Sequence, residues 1–216
     1  MAVAVEHDQR RKKILEKALA VFIDDGFENA TFQKIADRCG ITRTILYLYF
    51  KNKKEIFTYS LKQLLLSVEE SINLIIIDES LTSIEKITKV FFVVFKKLEQ
   101  NHQLLYVVLN YLLHLSKGDA EPPAGSRTEG SKGRNFPAPE MRVRRRTVKF
   151  RRILSSMLIQ GVKSGELKKT SIKTAADYLY SFLESAIFQL TVLKRKDLSE
   201  LNETVIFAVK QLGADG

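Results

Sequence analysis

The chain has 216 residues, of which 45% are hydrophobic and 28% are charged. This balance is typical of a folded, water-soluble protein. Its formal net charge of +10 makes a polyanionic partner plausible, although many basic proteins bind no nucleic acid. Ten glycines, four prolines and no strand-like alternation predict an all-α fold. The length suits either one large helical domain or a small head with a larger body.

Cys39 is the single cysteine, so no internal disulfide can form, which agrees with a reducing compartment. Charges in the N-terminal stretch leave no room for the apolar core of a signal peptide. The longest apolar runs, 90–95 and 104–109, are too short to cross a bilayer. The sequence therefore predicts a cytoplasmic protein without a membrane partner.

The first predicted helix spans residues 8–25 and ends at Gly26. Its apolar positions follow one helical stripe, formed by Ile14, Leu15, Ala18, Val21 and Phe22. The basic run 10–13 on this helix either contacts DNA phosphates or forms a solvated face. We expect the helix to support the two short helices that follow.

Those two helices lie between Thr31 and Lys53. Phe32, Ile35, Ala36 and Cys39 share one face of the first. Thr31 is placed to cap it, Gly40 is placed for a left-handed residue at its end, and Thr42 is placed to cap a second helix from Arg43. A helix, a short turn with glycine and a second helix is the sequence form of helix-turn-helix.

The second helix carries side chains suited to DNA. Helix-turn-helix proteins place the start of this helix against base edges. Arg43 has the planar fork that binds guanine, Thr44 can donate or accept, and Ile45 can contact a thymine methyl. Hydroxyls and an ammonium suited to phosphates come from Thr31, Thr42, Tyr47, Tyr49 and Lys53. The head, 8–52, is the predicted DNA-binding domain.

The segment Gly40–Ile56, GITRTILYLYFKNKKEI, resembles the signature of the TetR (tetracycline repressor) family of transcriptional regulators. Further matches lie upstream, at Ala18, Phe22, Gly26, Phe27, Thr31, Ile35 and Ala36. The resemblance covers about a quarter of the chain. One departure is Ile45, where the family often has threonine or a small residue, so base preference is expected to differ.

The body, 53–213, is predicted to contain six helices. Their spans are 53–77, 81–100, 102–116, 141–163, 172–193 and 198–212. The segment 117–140 is rich in Gly, Pro, Ser and charge, which predicts an exposed mobile loop. The following run 142–152 is strongly basic and is either a solvated face or an attractor of anions.

The resemblance implies that the body holds an effector pocket within 53–163 and that the helices 172–193 and 198–212 form a homodimer. Candidate lining residues are Phe91, Phe95, Tyr106, Asn110, Tyr111, His114, Met157 and Gln160. Ordinary core packing is the alternative for each of them. A symmetric dimer matches a palindromic operator, and the resemblance implies a repressor that a small-molecule effector releases from that operator.

Two other classes of protein compete with this interpretation. An enzyme is disfavoured because His7, His102 and His114 lack metal-ligand spacing, Cys39 has no nearby base in sequence, and no glycine-rich phosphate loop is present. No cofactor or metal is predicted. A helical protein-interaction module is the other alternative, but it leaves the polar face of the 43–49 helix without a role.

Overall fold

The computed structural model describes residues 2–116 and 139–214, with side chains for 7–113 and 145–214. These residues form α-helices and no strand beyond an isolated bridge between Leu167 and Gly213. The helices are α1 (Ala2–Asn29), α2 (Phe32–Cys39), α3 (Arg43–Tyr49), α4 (Lys53–Ile76), α5 (Ser83–Gln100), α6 (His102–Ser116), α7 (Pro139–Lys163), α8 (Ile172–Thr191) and α9 (Ser199–Gln211). The all-α prediction is confirmed.

The chain divides into two compact units. The first contains residues 1–63 and 103–139, and the second contains 64–102 and 140–216. The units therefore divide inside α4 and near the start of α6. The functional division predicted between residues 52 and 53 stays a prediction.

An aromatic cluster forms the core of the first unit. The Phe27 ring lies 5.5 Å from Phe22, 5.1 Å from Phe57 and 4.8 Å from Tyr111, measured between centroids. Phe27 reaches this position because Gly26 interrupts α1 with φ 76° and ψ 160°, a conformation that glycine adopts without strain. The predicted stop at Gly26 is correct, whereas α1 begins at Ala2 rather than near residue 8.

The buried face of α6 differs from the predicted one. Periodicity predicts that Leu105, Val108, Leu109, Leu112 and Leu113 lie inside. Val108 is buried as predicted, but the other buried residues of this helix are Leu104, Val107 and Tyr111. The face that packs inward is the one carrying Tyr111, which contacts Phe27 and Phe57. With apolar residues on several sides of this helix, periodicity alone did not select the face.

The core of the second unit is built around α5, which packs against α8 and α9. Phe91 is fully buried and lies 5.6 Å from the Phe95 ring and 5.9 Å from Phe150. At the N-terminus of α5, Thr82 and Glu85 form a reciprocal capping box.

Glu166 adds a second, distant acceptor at the same end of α5. Its carboxylate accepts a 2.5 Å hydrogen bond from the Ser83 backbone amide. The sequence GVKSGEL places this carboxylate through the turn at Gly165 (φ 80°). Near the other end of α5, Glu99 accepts from the Leu198 amide at 2.6 Å. These two bonds join segments far apart in sequence.

Two predictions fall outside the described part of the chain. The expected mobile loop, 117–140, lies outside it except for residues 139 and 140, which belong to α7. The side chain of His114 also lies outside it. Among the helices that the structure does describe, none is long and apolar enough to cross a membrane.

Candidate nucleic-acid interface and effector cavity

The turn between α2 and α3 has the geometry expected of a helix-turn-helix. The Thr31 hydroxyl accepts from the Lys34 amide at 3.2 Å, which caps α2. Gly40 is left-handed (φ 69°, ψ 34°), and the next amide, of Ile41, donates to the Ala36 carbonyl at 3.1 Å. These bonds provide partners for backbone groups at the two ends of α2, and the left-handed glycine turns the chain sharply after the helix.

Helix α3 is capped in the same way and separates into a buried and an exposed face. The Thr42 hydroxyl accepts from the Ile45 amide at 3.3 Å. Leu46 is fully buried, as is Phe50 at the C-cap. Arg43 and Thr44 are exposed. The buried leucine therefore fixes α3 with its N-terminal polar residues facing solvent.

The apolar residues Ile45, Leu46, Tyr49 and Phe50 predict one apolar side of α3, but Ile45 does not lie on the core side. Its side chain is exposed, because a seven-residue helix anchored through Leu46 and Phe50 leaves the preceding position outside. This exposure leaves Ile45 accessible to a thymine methyl.

Arg43 and Tyr47 form one exposed pair on α3. The Arg43 guanidinium donates to the Tyr47 hydroxyl at 3.1 Å, across the four-residue spacing that brings side chains together on a helix. The Tyr47 ring also contacts Phe32 of α2, with centroids 4.8 Å apart. This contact restrains Tyr47, while the guanidinium has five N–H donors and retains others for a base or phosphate.

Lys53 and Tyr49 are less available than the sequence suggested. The Lys53 ammonium donates to the Phe27 and Glu28 carbonyls at 2.8 and 2.6 Å, so it caps the end of α1. Burial lowers the pKa of Lys53, and the Glu28 charge opposes that shift. Tyr49 is half-buried and stacks on His7, with ring centroids 4.6 Å apart. Both residues keep their predicted phosphate roles only as proposals.

Sequence reasoning missed the structural role of Arg11. Its guanidinium lies 4.1 Å from the Tyr59 ring centroid and 4.8 Å from that of Phe50. Such cation–π contacts are worth about 0.5–2 kcal/mol. Arg11 thus connects α1, the end of α3 and α4, whereas the sequence showed only a member of a basic run.

Cys39 behaves as a packing residue. Burial raises the pKa of its thiol, and the nearby Lys17 charge only partly opposes this shift. A raised pKa keeps the sulfur protonated at neutral pH, and the thiolate is the reactive form. The predicted role as a small hydrophobe at the turn therefore agrees with its surroundings.

The predicted effector residues do not form one group. Met157 and Gln160 line a cavity of about 220 Å³ in the second unit. Phe91 and Phe95 are packed in the core of that unit, as the alternative interpretation had it. Tyr106, Asn110 and Tyr111 belong to the first unit, where Tyr111 joins the aromatic cluster.

The cavity has a mixed lining that the sequence did not suggest. Its residues come from the end of α4, from α5 and from one face of α7: Ile76, Lys86, Lys149, Arg152, Ile153, Ser156, Met157 and Gln160. Lys86 is only 5% exposed and donates to the Ile76 carbonyl at 3.0 Å. Apolar and cationic groups at one site suit an amphipathic anion. In the described part of the chain, no cluster of His, Cys, Asp or Glu could hold a metal ion.

Comparison with known proteins relates the N-terminal segment of the chain to a family of bacterial regulators. The profile described as "Bacterial regulatory proteins, tetR family" matches residues 14–59. The chain is 25% identical over 207 residues to the fatty acid metabolism regulator protein of Bacillus subtilis, covering 92% of this chain and 94% of that protein. It is also 29% identical over 107 residues to the transcriptional repressor KstR2 of Mycolicibacterium smegmatis, covering 50% and 52% of the two chains.

Among solved structures, the fold is similar to that of FadR from Bacillus subtilis in complex with stearoyl-CoA. That match has a TM-score of 0.61 and 23% identity, and covers 92% of this chain and 96% of the other. The described helices therefore have the fold of this regulator, and residues 14–59 match the family model of TetR regulators.

Proposed function

We propose that this protein is a transcriptional regulator of the TetR family, a homodimeric repressor that binds a palindromic operator. We propose further that a small amphipathic anion, most simply a fatty acyl thioester, releases it from that operator. The observation that carries the DNA-binding part is the exposed pair of Arg43 and Tyr47 at the start of a capped, core-anchored α3. Thr44 and Ile45 complete the surface offered to base edges, and the Thr31 and Thr42 hydroxyls keep their protons for phosphates.

DNA recognition is tested by mobility shift on the DNA upstream of the gene, with heparin as competitor. Arg43→Ala combined with Tyr47→Ala is expected to abolish sequence-selective retention, because a good bidentate base contact alone is worth about 1–3 kcal/mol. Arg195→Ala, which removes the same charge from an exposed ion pair with Glu200 in the second unit, is the matched control. Equal retention by the double variant and the control would contradict the proposal.

The dimer proposal rests on apolar side chains left exposed on the last two helices. Phe188 of α8 and Phe207 of α9 are 53% and 65% exposed. Scattered exposed hydrophobic residues are common. The resemblance to the TetR family, however, implies that two chains form a dimer through these same two helices. A two-fold dimer presents two copies of α3 to two half-sites.

Sedimentation velocity tests the dimer at micromolar protein. Phe207→Glu with Phe188→Glu is expected to give monomers, because an unpaired carboxylate in an apolar interface is costly. Phe92→Glu, on α5 and as exposed as Phe188, is the control and should leave the mass unchanged. A wild-type protein that sediments as a monomer would refute this part of the proposal.

The effector class is supported by the apolar and cationic lining of the cavity and by two similar proteins. A relative regulates fatty acid metabolism, and a structural neighbour was solved with stearoyl-CoA. Stearoyl-CoA is expected to lower operator retention in a saturable way, whereas coenzyme A without an acyl chain should have a much weaker effect because it lacks the apolar part. Operator binding that does not respond to either compound would exclude this effector class.

A further inference from the structure

An ion-pair network joins α4 and α7 beside the cavity. Glu69 of α4 is contacted by both Arg146 and Lys149 of α7, and the Lys149 ammonium donates to its carboxylate at 2.6 Å. The Glu69 side chain is 19% exposed, and that of Lys149 is 53% exposed. The carboxylate is thus sheltered between two cations, one of which is largely in contact with solvent.

Lys149 also belongs to the cavity wall. Along α7, Lys149, Arg152, Ser156 and Gln160 follow one another at three- or four-residue steps, so they share a face. All four line the cavity. Lys149 therefore has two possible anionic partners, the Glu69 carboxylate and whatever anion enters the cavity.

Lys86 gives an independent indication that the cavity takes an anion. Its side chain is buried, and its ammonium donates to the neutral Ile76 carbonyl. No carboxylate among the described residues lies within ion-pair distance of this ammonium; Asp78 is near enough for the Lys86 charge to add to the lowering of its pKa, which comes mainly from Ser80 hydrogen bonds. A buried cation without a directly paired anion is costly, and an ammonium has three donors, so an anion in the cavity would stabilise it.

We propose that the cavity binds the anionic group of the effector and that this anion competes with Glu69 for Lys149. Lys149 turns from Glu69 to the effector, while Arg146 stays with Glu69. The inference rests on the proposed function for the identity of the effector, but the competition itself requires only an anion. No covalent step is involved.

The competition connects the cavity to α4, the helix that begins at Lys53 directly after the DNA-binding segment. An anion that withdraws Lys149 weakens one of the contacts between α4 and α7. By linkage, whatever strengthens the Glu69–Lys149 pair must weaken anion binding by the same factor. Glu69 is therefore a positioning residue, because the strength of its ion pair with Lys149 sets how readily Lys149 can bind the effector anion.

Calorimetric titration with stearoyl-CoA, and phosphorus NMR with inorganic pyrophosphate, test the competition in the full-length protein. Glu69→Gln is expected to tighten the binding of both probes about threefold to tenfold, because Lys149 is freed from a partly exposed ion pair. Lys149→Gln is expected to weaken binding about tenfold through the loss of a charge-assisted hydrogen bond. Glu70→Gln, at the exposed neighbouring position on α4, removes the same charge and should change affinity by less than about twofold.

The double variant Glu69→Gln with Lys149→Gln shows whether Glu69 acts through Lys149. If Glu69 acts through Lys149, Glu69→Gln has no further effect once Lys149→Gln is present, which a double-mutant cycle measures as a non-additive term. Additive effects, equal tightening by Glu70→Gln, or no binding of either probe to the wild type would overturn the inference. Mobility shift on the same proteins separates the two proposals. Failure of the wild-type protein to bind the operator would contradict the proposed function. Anion affinities that change as expected in the Lys149 and Glu69 variants would still support the competition.

Discussion

The proposed DNA-binding surface and the cavity are built from the chain in opposite ways. The surface comes from one short stretch, Thr31 to Lys53, in which each N-terminal helix cap is made between residues three positions apart. The cavity brings together the end of α4, a lysine of α5 and a face of α7. The first site depends on local turn chemistry, and the second depends on how distant helices pack.

This difference affects how each site responds to change. A local site keeps its shape while its helix caps and its one or two core anchors remain. A site assembled from distant helices is sensitive to any side chain that alters their spacing. The following substitutions test that distinction, beginning with the largest expected effect.

Leu46→Ala should destabilise the protein by about 2–5 kcal/mol, the usual cost of truncating a buried leucine. Leu46 is fully buried beneath the DNA-binding surface, whereas Leu48, two residues later on the same helix, is 74% exposed. Leu48→Ala should change stability by less than about 0.5 kcal/mol. Urea unfolding followed by circular dichroism measures both, and equal costs would show that α3 is not anchored through Leu46.

Gly161→Ala should cost about 1–3 kcal/mol through overpacking. A methyl group at this buried position would lie 2.6 Å from Leu167 Cδ1 and 2.9 Å from Ser83 Cβ. The clash therefore separates the turn after α7 from the start of α5. Thermal unfolding measures the loss, and an unchanged melting temperature would mean that the two segments are not held close together.

Gly40→Ala should cost only about 1 kcal/mol, because the penalty is confined to the left-handed backbone. An added methyl group meets no atom within 4 Å at this position. Operator affinity should stay unchanged, because a protein that is stable by about 5–15 kcal/mol remains almost fully folded after such a loss. A loss of affinity in this variant would indicate that the turn backbone itself approaches DNA.

Glu85→Gln should have the smallest effect, which should be present at neutral pH and disappear in acid. Hydrogen bonds from the Thr82 amide and hydroxyl lower the pKa of Glu85 from its ordinary value of 4.5. Since the folded state binds the proton less readily than the unfolded state, this contribution is complete above the unfolded pKa and is lost as the pH falls through the folded pKa. Urea unfolding at a series of pH values should show a shallower acid loss in the variant, and superimposable profiles would contradict the prediction.

The sequence predicted much of the DNA-binding segment because its determinants are local. Thr31, Gly40 and Thr42 are recognisable cap residues, and the structure has each in that role. The sequence-based prediction failed where a residue distant in sequence determines the role of a side chain. Lys53 is bonded to carbonyls of α1, and no local signal indicates that partner.

The effector residues show the same limit more strongly. Phe91 and Phe95 were chosen for their chemistry, but they fill the core. Met157 and Gln160 do line the cavity, whereas Lys86, Lys149 and Arg152 were not selected. A lysine in a predicted helix is normally assigned to a solvated face, and only packing of α5 against its neighbours reveals that Lys86 is buried.

The hydrogen bond between Glu166 and the Ser83 amide shows how late in synthesis the second unit can fold. Both compact units are discontinuous: the first needs residues after 102, and the second needs residues from 140 onward. When the ribosome has made only α1 to α5, neither unit has all its parts, and the Ser83 amide lacks the carboxylate that bonds it in the finished fold. A nascent chain of that length exposes apolar surface that later helices cover, which is the stage at which chaperones act on multi-unit proteins.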